Sequence, residues 1–482
     1  MATISSTGIG SGLDVNSIVT QLMALEARPL NLLQRAESDL NTRLSAIGTL
    51  QGRMSAFRDA ASALTSVTTW NRTVASSADE ASVKVSSTTG AAAGGYAVQV
   101  DKLATPQTLA SGAFASSKEV LGEGTLTFEL GSWDGEPSPT GFTAKADSTP
   151  VTITIGAGGA TLEAIRDQIN AADTGVIATV VTDASGARLS FRSRETGAEN
   201  AFRVTANEAS DDGNPATGLS ALAYDATTGS PMTRSQTAVN AEATVNGIPI
   251  TSASNTLDGV VDGLTLTLVK PTTGAVELTV STDSASIRKG IETFVSAFNE
   301  VASYIREQTK YNEDTKVGGT LQGDRLVTSL QSQLRGIVNE GSSASGVFER
   351  LTDIGISFTA NGTLSINGSR LDDAMGNLSE LRKVLAADGS DSGSSGFIDR
   401  FKDFASSILG AEGAFETRTT SLKGQISQNE KSQESMQRRL DQTELRLRRQ
   451  YQALDAAMSN LGGTADYLTQ QLTLLNNQTI RR

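Results

Sequence analysis

The two ends of this chain follow one residue period and its middle follows another. From Leu13 to about Thr69, apolar residues recur in steps of four and three. They are Ile18, Leu22 and Leu25, then Ala36, Leu40, Leu44, Ile47, Leu50, Met54, Phe57, Ala61 and Leu64. The C-terminal end repeats this more strictly at Leu454, Met458, Leu461, Ala465, Leu468, Leu472 and Leu475. Stripes this narrow are coiled-coil seams, and a seam requires a partner face. Met436, Leu440, Thr443, Leu447 and Tyr451 carry the C-terminal seam upstream. The extra step of four between Leu447 and Tyr451 is a stutter, which relaxes supercoiling locally. Pro29 predicts a helix break near Arg28. Gly462-Gly463 predicts a joint in the last helix.

Between the ends, short runs alternate apolar and polar residues: Val83 to Val85, Tyr96 to Val100, Val151 to Ile155, Val176 to Val181, Leu264 to Val269 and Val276 to Val280. These predict antiparallel strands. Asn246-Gly247 predicts a two-residue hairpin, and Pro249 puts its second strand at a sheet edge. Asn361-Gly362 marks a second hairpin. Helical spacing returns at Ile287, Ile291, Phe294, Phe298, Val301 and Ile305, and again at Leu326, Leu330, Leu334 and Ile337. The composition of 388–396 predicts a flexible loop.

The expected fold is therefore α+β: a discontinuous helical coiled-coil stalk formed by both termini, with inserted β-rich head domains. The expected divisions are a flexible segment 1–40, a helical leg 41–75 with 285–435, an inner β-rich domain 76–106 with 235–284, an outer β-rich domain 107–234, and a coiled-coil or flexible end 436–482.

Composition narrows the chemistry. The 482 residues include no histidine and no cysteine. Disulfides, thiolate nucleophiles, Ser-His-Asp triads and His- or Cys-ligated metals are excluded. With 40 basic and 53 acidic residues the net charge is −13, which opposes nonspecific nucleic-acid binding. From Gln107 to Ser281 there are 20 acidic and 9 basic residues, so most of that charge lies in the middle. There is no apolar run of transmembrane length and no Sec-type leader pattern at the start. This leaves a cytoplasmic protein or one exported without a cleaved signal, with no membrane insertion.

Few residues look like a site. Gly156 to Thr161, between a strand and a helix, resembles a dinucleotide fingerprint, with Asp183 about 20 residues on. Thr161 falls where a third small residue is required, and it serves equally as a helix N-cap. Gly8 to Gly12 follows no strand and reads as a linker. Asp211 to Asn214 reads as a turn, not a metal loop. From Arg418 to Tyr451 there are 8 basic and 4 acidic residues, either a solvated helix face or an electrostatic dock for an acidic partner. The terminal seams fit either an intramolecular helix pair or partner-seeking ends. No cofactor, metal or catalytic residue is expected.

Several stretches together carry a resemblance. Gly10 to Val15, with Ile18-Val19, Leu22-Met23 and Pro29, resembles the N-terminal signature of the flagellar hook-associated protein 2 family, the bacterial filament cap. Tyr96 to Val100 with Leu103-Ala104 and Gln107 resembles a strand shared by hook-associated proteins. Ala243 to Leu268 is similar to the short motif repeated in flagellins and hook-associated proteins. Ile291 to Ile305, Gly319 to Arg335, Asp353 to Ile356 with Asn361 to Leu364, and Arg449 to Tyr451 with Leu454-Asp455 and Tyr467 to Leu472 resemble the family's helical body, hairpin and C-terminal seam.

The resemblance implies a non-enzymatic structural protein at the outer tip of the bacterial flagellum, exported through the flagellar type III channel. It implies a homo-oligomeric ring, most often a pentamer, that promotes folding and insertion of flagellin. It also implies contact with the hook-filament junction protein and a type III export chaperone on the C-terminal helix. The expected contact residues are Leu13, Ile18, Leu22, Leu25, Leu447, Leu454, Leu461, Leu468, Leu472 and Leu475. One rival reading is an adhesin binding host mucin or other glycans through the middle, where Trp133 is the only tryptophan. Another is a different axial protein, flagellin itself or a junction protein.

Overall fold

The computed structural model describes residues 14–88, 90–136 and 138–479, with side chains to residue 474. The helices are α1 (Val15–Glu26), α2 (Arg28–Thr65), α3 (Val67–Trp70), α4 (Leu162–Ala171), α5 (Ser284–Thr309), α6 (Arg325–Asn339), α7 (Gly368–Met375), α8 (Leu378–Ala386), α9 (Phe397–Leu409) and α10 (Ala414–Thr479). The chain divides into two units: residues 1–69 with 284–482, and residues 70–283. The fold is α+β, with helical termini around a β-rich middle.

The 70–283 unit holds two hydrophobic cores. Strands β1 (Thr73–Ser77), β2 (Val83–Ser87) and β3 (Gly94–Lys102) open it. The central strands follow: β4 (Thr108–Ala110), β5 (Val120–Leu121), β6 (Gly124–Asp134), β7 (Gly141–Ala144), β8 (Val151–Ile155), β9 (Ala160–Thr161), β10 (Val176–Asp183), β11 (Gly186–Ser193), β12 (Ala201–Glu208) and β13 (Thr233–Gln236). Then come β14 (Ala241–Val245), β15 (Ile248–Ser252), β16 (Thr256–Val261), β17 (Leu264–Leu268) and β18 (Val276–Thr282). The first and last groups form a five-stranded sheet β1-β18-β3-β14-β15 and a three-stranded sheet β16-β17-β2. Val83, Val98, Val100, Leu264, Leu266 and Leu278 fill the core between them. The central group builds a second core around Phe128, Phe191, Phe202 and the buried face of α4. All strand pairs are antiparallel.

Local chemistry explains several turns. Asn246 (φ 50°) and Gly247 (φ 81°) form the hairpin turn between β14 and β15, where both central residues need left-handed backbone. Pro249 lies on β15, the sheet edge, where a missing N–H costs nothing. The edge of β10 is blunted by side chains. The Asn170 amide donates to the Ala178 carbonyl and accepts from its N–H, at 2.9 and 2.8 Å.

In the helical unit, the C-terminal half of α2 is the core. Ile47, Leu50, Met54, Phe57, Ala61 and Leu64 are buried, as the sequence spacing predicts. Phe57 packs against Phe294 and Phe298 of α5 and Phe401 of α9, with ring centroids 5.2, 5.8 and 5.6 Å away. Two short hairpins, β19 (Tyr311–Asn312) with β20 (Val317–Gly318) and β21 (Ile356–Phe358) with β22 (Leu364–Ile366), complete it. Asn299 of α5 clamps the Leu364 N–H and carbonyl at 2.6 and 2.8 Å. Asp324 caps α6 and pairs with Arg418 of α10 at 2.7 Å, fixing the start of the last helix.

The helical spacing read from Leu13 is observed from Val15, with Ala27 separating α1 from α2 beside the break predicted near Arg28; residues 1–13 lie outside the described residues. Two expectations change. Helix α10 passes through Gly462-Gly463 without a joint, because two glycines cost only about 1 kcal/mol each in a helix whose hydrogen bonds continue. The 388–396 loop is tied down: Ser342 Oγ donates to the Ser395 carbonyl at 2.9 Å, and the Gly396 N–H to Ala387 at 2.8 Å.

Truncating Phe57 to Ala should cost the helical unit about 3–5 kcal/mol, because three rings lose their shared partner. Urea unfolding followed by far-ultraviolet circular dichroism checks this. An unchanged midpoint would mean that α2 is not held by the aromatic cluster.

Candidate functional site

No group of three or more acidic residues is placed to hold a metal among the described residues. Asp211, Asp212 and Asn214 spend their side-chain oxygens on nearby backbone N–H groups at 2.8, 2.9 and 3.0 Å. The glycine turn after β8 is not a nucleotide cradle. Strand β8 pairs antiparallel with β6, and β10 with β11, so no parallel β-α-β unit exists there. Thr161 caps α4 by accepting from the Ala164 N–H at 3.2 Å. A Cβ on Gly159 would lie 2.0 Å from the Leu121 carbonyl, so glycine permits the β5–β9 pairing. Trp133 is buried, not a surface platform, and donates to Gln107 Oε1 at 2.8 Å. No helix is long and apolar enough to cross a membrane among the described residues.

What remains is the outer part of the helical unit. Helix α10 runs antiparallel to α1 and α2. Arg448 donates to Asn16 Oδ1 at 3.1 Å, and Gln433 donates to Glu37. Along α10 the seam is buried at Leu440 and half-buried at Thr443, Leu447 and Tyr451. Beyond that point it is bare. Leu454, Leu461, Leu468 and Leu472 are 45, 65, 56 and 66% exposed, with Met458 exposed between them. Leaving large apolar side chains in water at seam spacing is costly, and contiguous apolar surface of this kind marks an interaction site.

The expected contact residues fall into three groups. Leu454, Leu461, Leu468 and Leu472 share the bare stripe. Ile18, Leu22 and Leu447 are half-buried where α1 meets α10, and Leu25 is exposed. Leu13 and the side chain of Leu475 lie outside the described residues. Sequence reasoning missed Val15 and Val19, the buried residues of α1. Their four-residue step was visible, but two valines beside Ile18 and Leu22 carry a weaker apolar signal.

The basic stretch is partly neutralised. Arg438 pairs with Glu434 at 2.9 Å and Arg448 with Glu444 at 2.8 Å. Arg439, Arg446 and Arg449 are exposed, with no ion pair among the described residues. Their spacing of seven and three puts them on one face of α10, away from the seam.

Elsewhere in the unit, Glu380 accepts from Lys383 Nζ, Ser345 Oγ and the Gly346 N–H, which hold its carboxyl at about 2 instead of the ordinary 4.5. Lys402 is held above its ordinary value. Burial opposes its charge, but the hydrogen bond and negative charge of Asp399 outweigh that.

Comparison with known proteins matches this arrangement. The family model described as flagellar hook-associated protein 2 C-terminus matches residues 238–462, and its N-terminus counterpart matches 11–107. The flagellin hook IN motif matches 140–195, away from the Ala243 to Leu268 stretch on which the sequence reading placed that resemblance. The chain is similar to the B-type flagellar hook-associated protein 2 of Pseudomonas aeruginosa, at 32% identity over 98% of both chains. It is similar to the flagellar hook-associated protein 2 of Salmonella typhimurium, at 32% identity over 99% of this chain and all of that one. Its fold is similar to the three-domain crystal structure of the flagellar cap protein FliD from Escherichia coli, with a TM-score of 0.60 and 28% identity, covering 78% of this chain and 99% of that one.

The charges predict a flat stability profile near neutrality. A depressed carboxylate stabilises the fold above its unfolded value and loses that contribution as pH falls through the folded value. For Glu380 the window runs from 4.5 down to about 2. A raised lysine stabilises below its unfolded value and loses the contribution at alkaline pH. With no histidine between these limits, the urea midpoint should stay level from about pH 5 to 9 and fall toward pH 2. Glu380→Gln should flatten part of the acid limb; an acid limb identical to the parent's would remove this carboxylate from the account.

Proposed function

The chain belongs to the flagellar hook-associated protein 2 family and serves as a flagellar filament cap, and we propose that it engages flagellin through the bare seam of α10. The family is structural, not a family of enzymes, and its partners are flagellin and other components of flagellar assembly. Our reading extends this. The chain works outside the cell at the filament tip, without catalysis or cofactor, as a closed homo-oligomeric ring. Five copies is the number expected from the family resemblance. The hook-filament junction protein and a type III export chaperone on the C-terminal helix complete the proposed partners.

The observation that carries the reading is the exposure of Leu454, Leu461, Leu468 and Leu472 along one stripe of a helix otherwise rich in polar residues. A seam without a partner among the described residues of its own chain is a helix-in-groove ligand or a coiled-coil half. Flagellin arriving at the tip supplies new partner surfaces, and a stripe held on one long helix can meet them in succession. Head-to-tail ring contacts between unlike surfaces suit a cap, because they close without a self-complementary patch.

Adhesion through the β-rich middle gains no support. The only tryptophan of 107–234, Trp133, is buried and hydrogen-bonded, so it presents no stacking surface for a sugar ring.

Leu468→Glu with Leu472→Glu should weaken flagellin binding about a hundredfold, on roughly 1.5 kcal/mol for each buried leucine. Both side chains are exposed in the free protein, so its unfolding midpoint should not move. Calorimetry gives the affinity. Electron microscopy of filaments grown with purified flagellin should show capped ends for the parent and bare ends for the variant. Equal capping by both would show that the seam is not the contact.

A further inference from the structure

The seam of α10 is one continuous stripe with two different fates. Its proximal part, Leu440 to Tyr451, is buried or half-buried, and its distal part from Leu454 is bare. Helix α1 lies against α10 at the boundary, where Asn16 Oδ1 accepts from Arg448 Nη1 at 3.1 Å. The hold of α1 is slight. Of its 12 residues only Val15 and Val19 are buried, at 3 and 1% exposure.

Its attachment to α2 has one weak point. Ala27 alone separates the two helices; it keeps helical bonds on both sides, from its N–H to the Met23 carbonyl at 2.8 Å and from the Asn31 N–H to its own carbonyl at 3.0 Å, but Pro29 in the first turn of α2 has no N–H to donate back into α1. A bend at this point breaks few bonds and leaves the buried half of α2, which begins near Ala46, in place. A helix of this length is marginal by itself, and elements with few buried apolar contacts open at much lower cost than the whole fold.

We propose that α1 is a displaceable cover on the proximal seam, and that a helix of flagellin docking along α10 takes its place. This rests on the reading of the seam as the flagellin contact. The argument for a single occupant of both parts is continuity. Covered and bare residues belong to the same row, interrupted only by the stutter before Tyr451. The bare row from Leu454 to Leu472 spans about 27 Å, and the whole row from Leu440 about 48 Å. A partner helix that starts on the distal row and extends along it meets α1 at the Asn16–Arg448 contact. In the free protein α1 therefore shields about a third of the seam from nonspecific association.

Hydrogen exchange on the full chain, with and without purified flagellin, tests the cover. In the free protein the α1 amides should exchange far faster than those of 46–64. With flagellin, α10 should gain protection through 440–472 while α1 loses what it has. A linked variant gives an independent readout. Asn16→Cys with Arg448→Cys, joined by a short reducible bis-maleimide, places the only two thiols in a cysteine-free chain. Flagellin affinity should drop at least tenfold while the link holds and recover on reduction.

Protection of α1 that survives flagellin binding along α10, or equal affinity before and after reduction, overturns the cover and leaves the seam reading standing. Protection that grows with protein concentration in the absence of flagellin would make the occupant a second copy, which also overturns the proposal. No gain of protection anywhere on α10 would remove the seam reading and the cover with it.

Discussion

The helical unit depends on one contact, the ring of Phe57 set among Phe294, Phe298 and Phe401. It fastens the C-terminal half of α2 between α5 and α9, two helices far from it in sequence. The N-terminal half of α2, largely exposed, is held by little else than that anchorage and the last helix beside it. Helix α10 is fixed in turn near its own start, by the Asp324–Arg418 pair and the buried Phe415 and Leu422. Both long helices are therefore secured at one end; α1 lies against the proximal part of α10, and from Leu454 onward the row carries apolar residues that are exposed. A helix pair buries only the seam along which its members overlap, so leucines beyond the overlap stay exposed.

Much of this was legible because the two periods differ so sharply. Ile47, Leu50, Met54, Phe57, Ala61 and Leu64 announced a buried helix face, and each of them is buried. Asn246-Gly247 and Pro249 announced a hairpin whose second strand is an edge, and that strand is an edge. Turn chemistry is local, so a sequence window contains the whole cause. The features that were not legible have causes distant in sequence. The glycines after β8 look like a phosphate loop until their purpose, the close approach of Leu121 from another strand, is known. Trp133 looks like an exposed ring until Gln107 arrives to accept its N–H. The paired bonds of Asn170 to Ala178 and of Asn299 to Leu364 have no sequence signature, because asparagine is equally at home in turns.

The exposed stripe was half legible for a related reason. Periodicity reports that a stripe is apolar, not whether the chain itself covers it. The spacing through Leu447, Tyr451, Leu454 and Leu461 gives no warning that cover ends between Tyr451 and Leu454. Among the described residues that boundary lies near the start of α1, at the Asn16–Arg448 contact. The joint predicted at Gly462-Gly463 was misplaced by the same reasoning. Glycines lower helix propensity, but on a helix with no neighbour among the described residues there is no packing geometry for a bend to satisfy. The break predicted near Arg28 is found at Ala27, two residues before the proline that lacks a donor.

A helix that keeps its hydrogen bonds while lacking side-chain cover has an unusual balance of costs. Its backbone is satisfied internally, so water gains nothing by unwinding it, but each exposed leucine keeps an unfavourable contact with solvent. The polar residues between the leucines keep the helix soluble without competing for the stripe. Small residues at Gly462, Gly463 and Ala465 let a partner backbone come close over part of its length, since nothing stands within 4 Å of where either glycine Cβ would be. Such a surface favours many approximate helix partners over one fixed partner. That property suits the proposed contact with a growing filament, and it divides the unit in two: the Phe57 cluster is a buried base, and the bare stripe is an exposed surface.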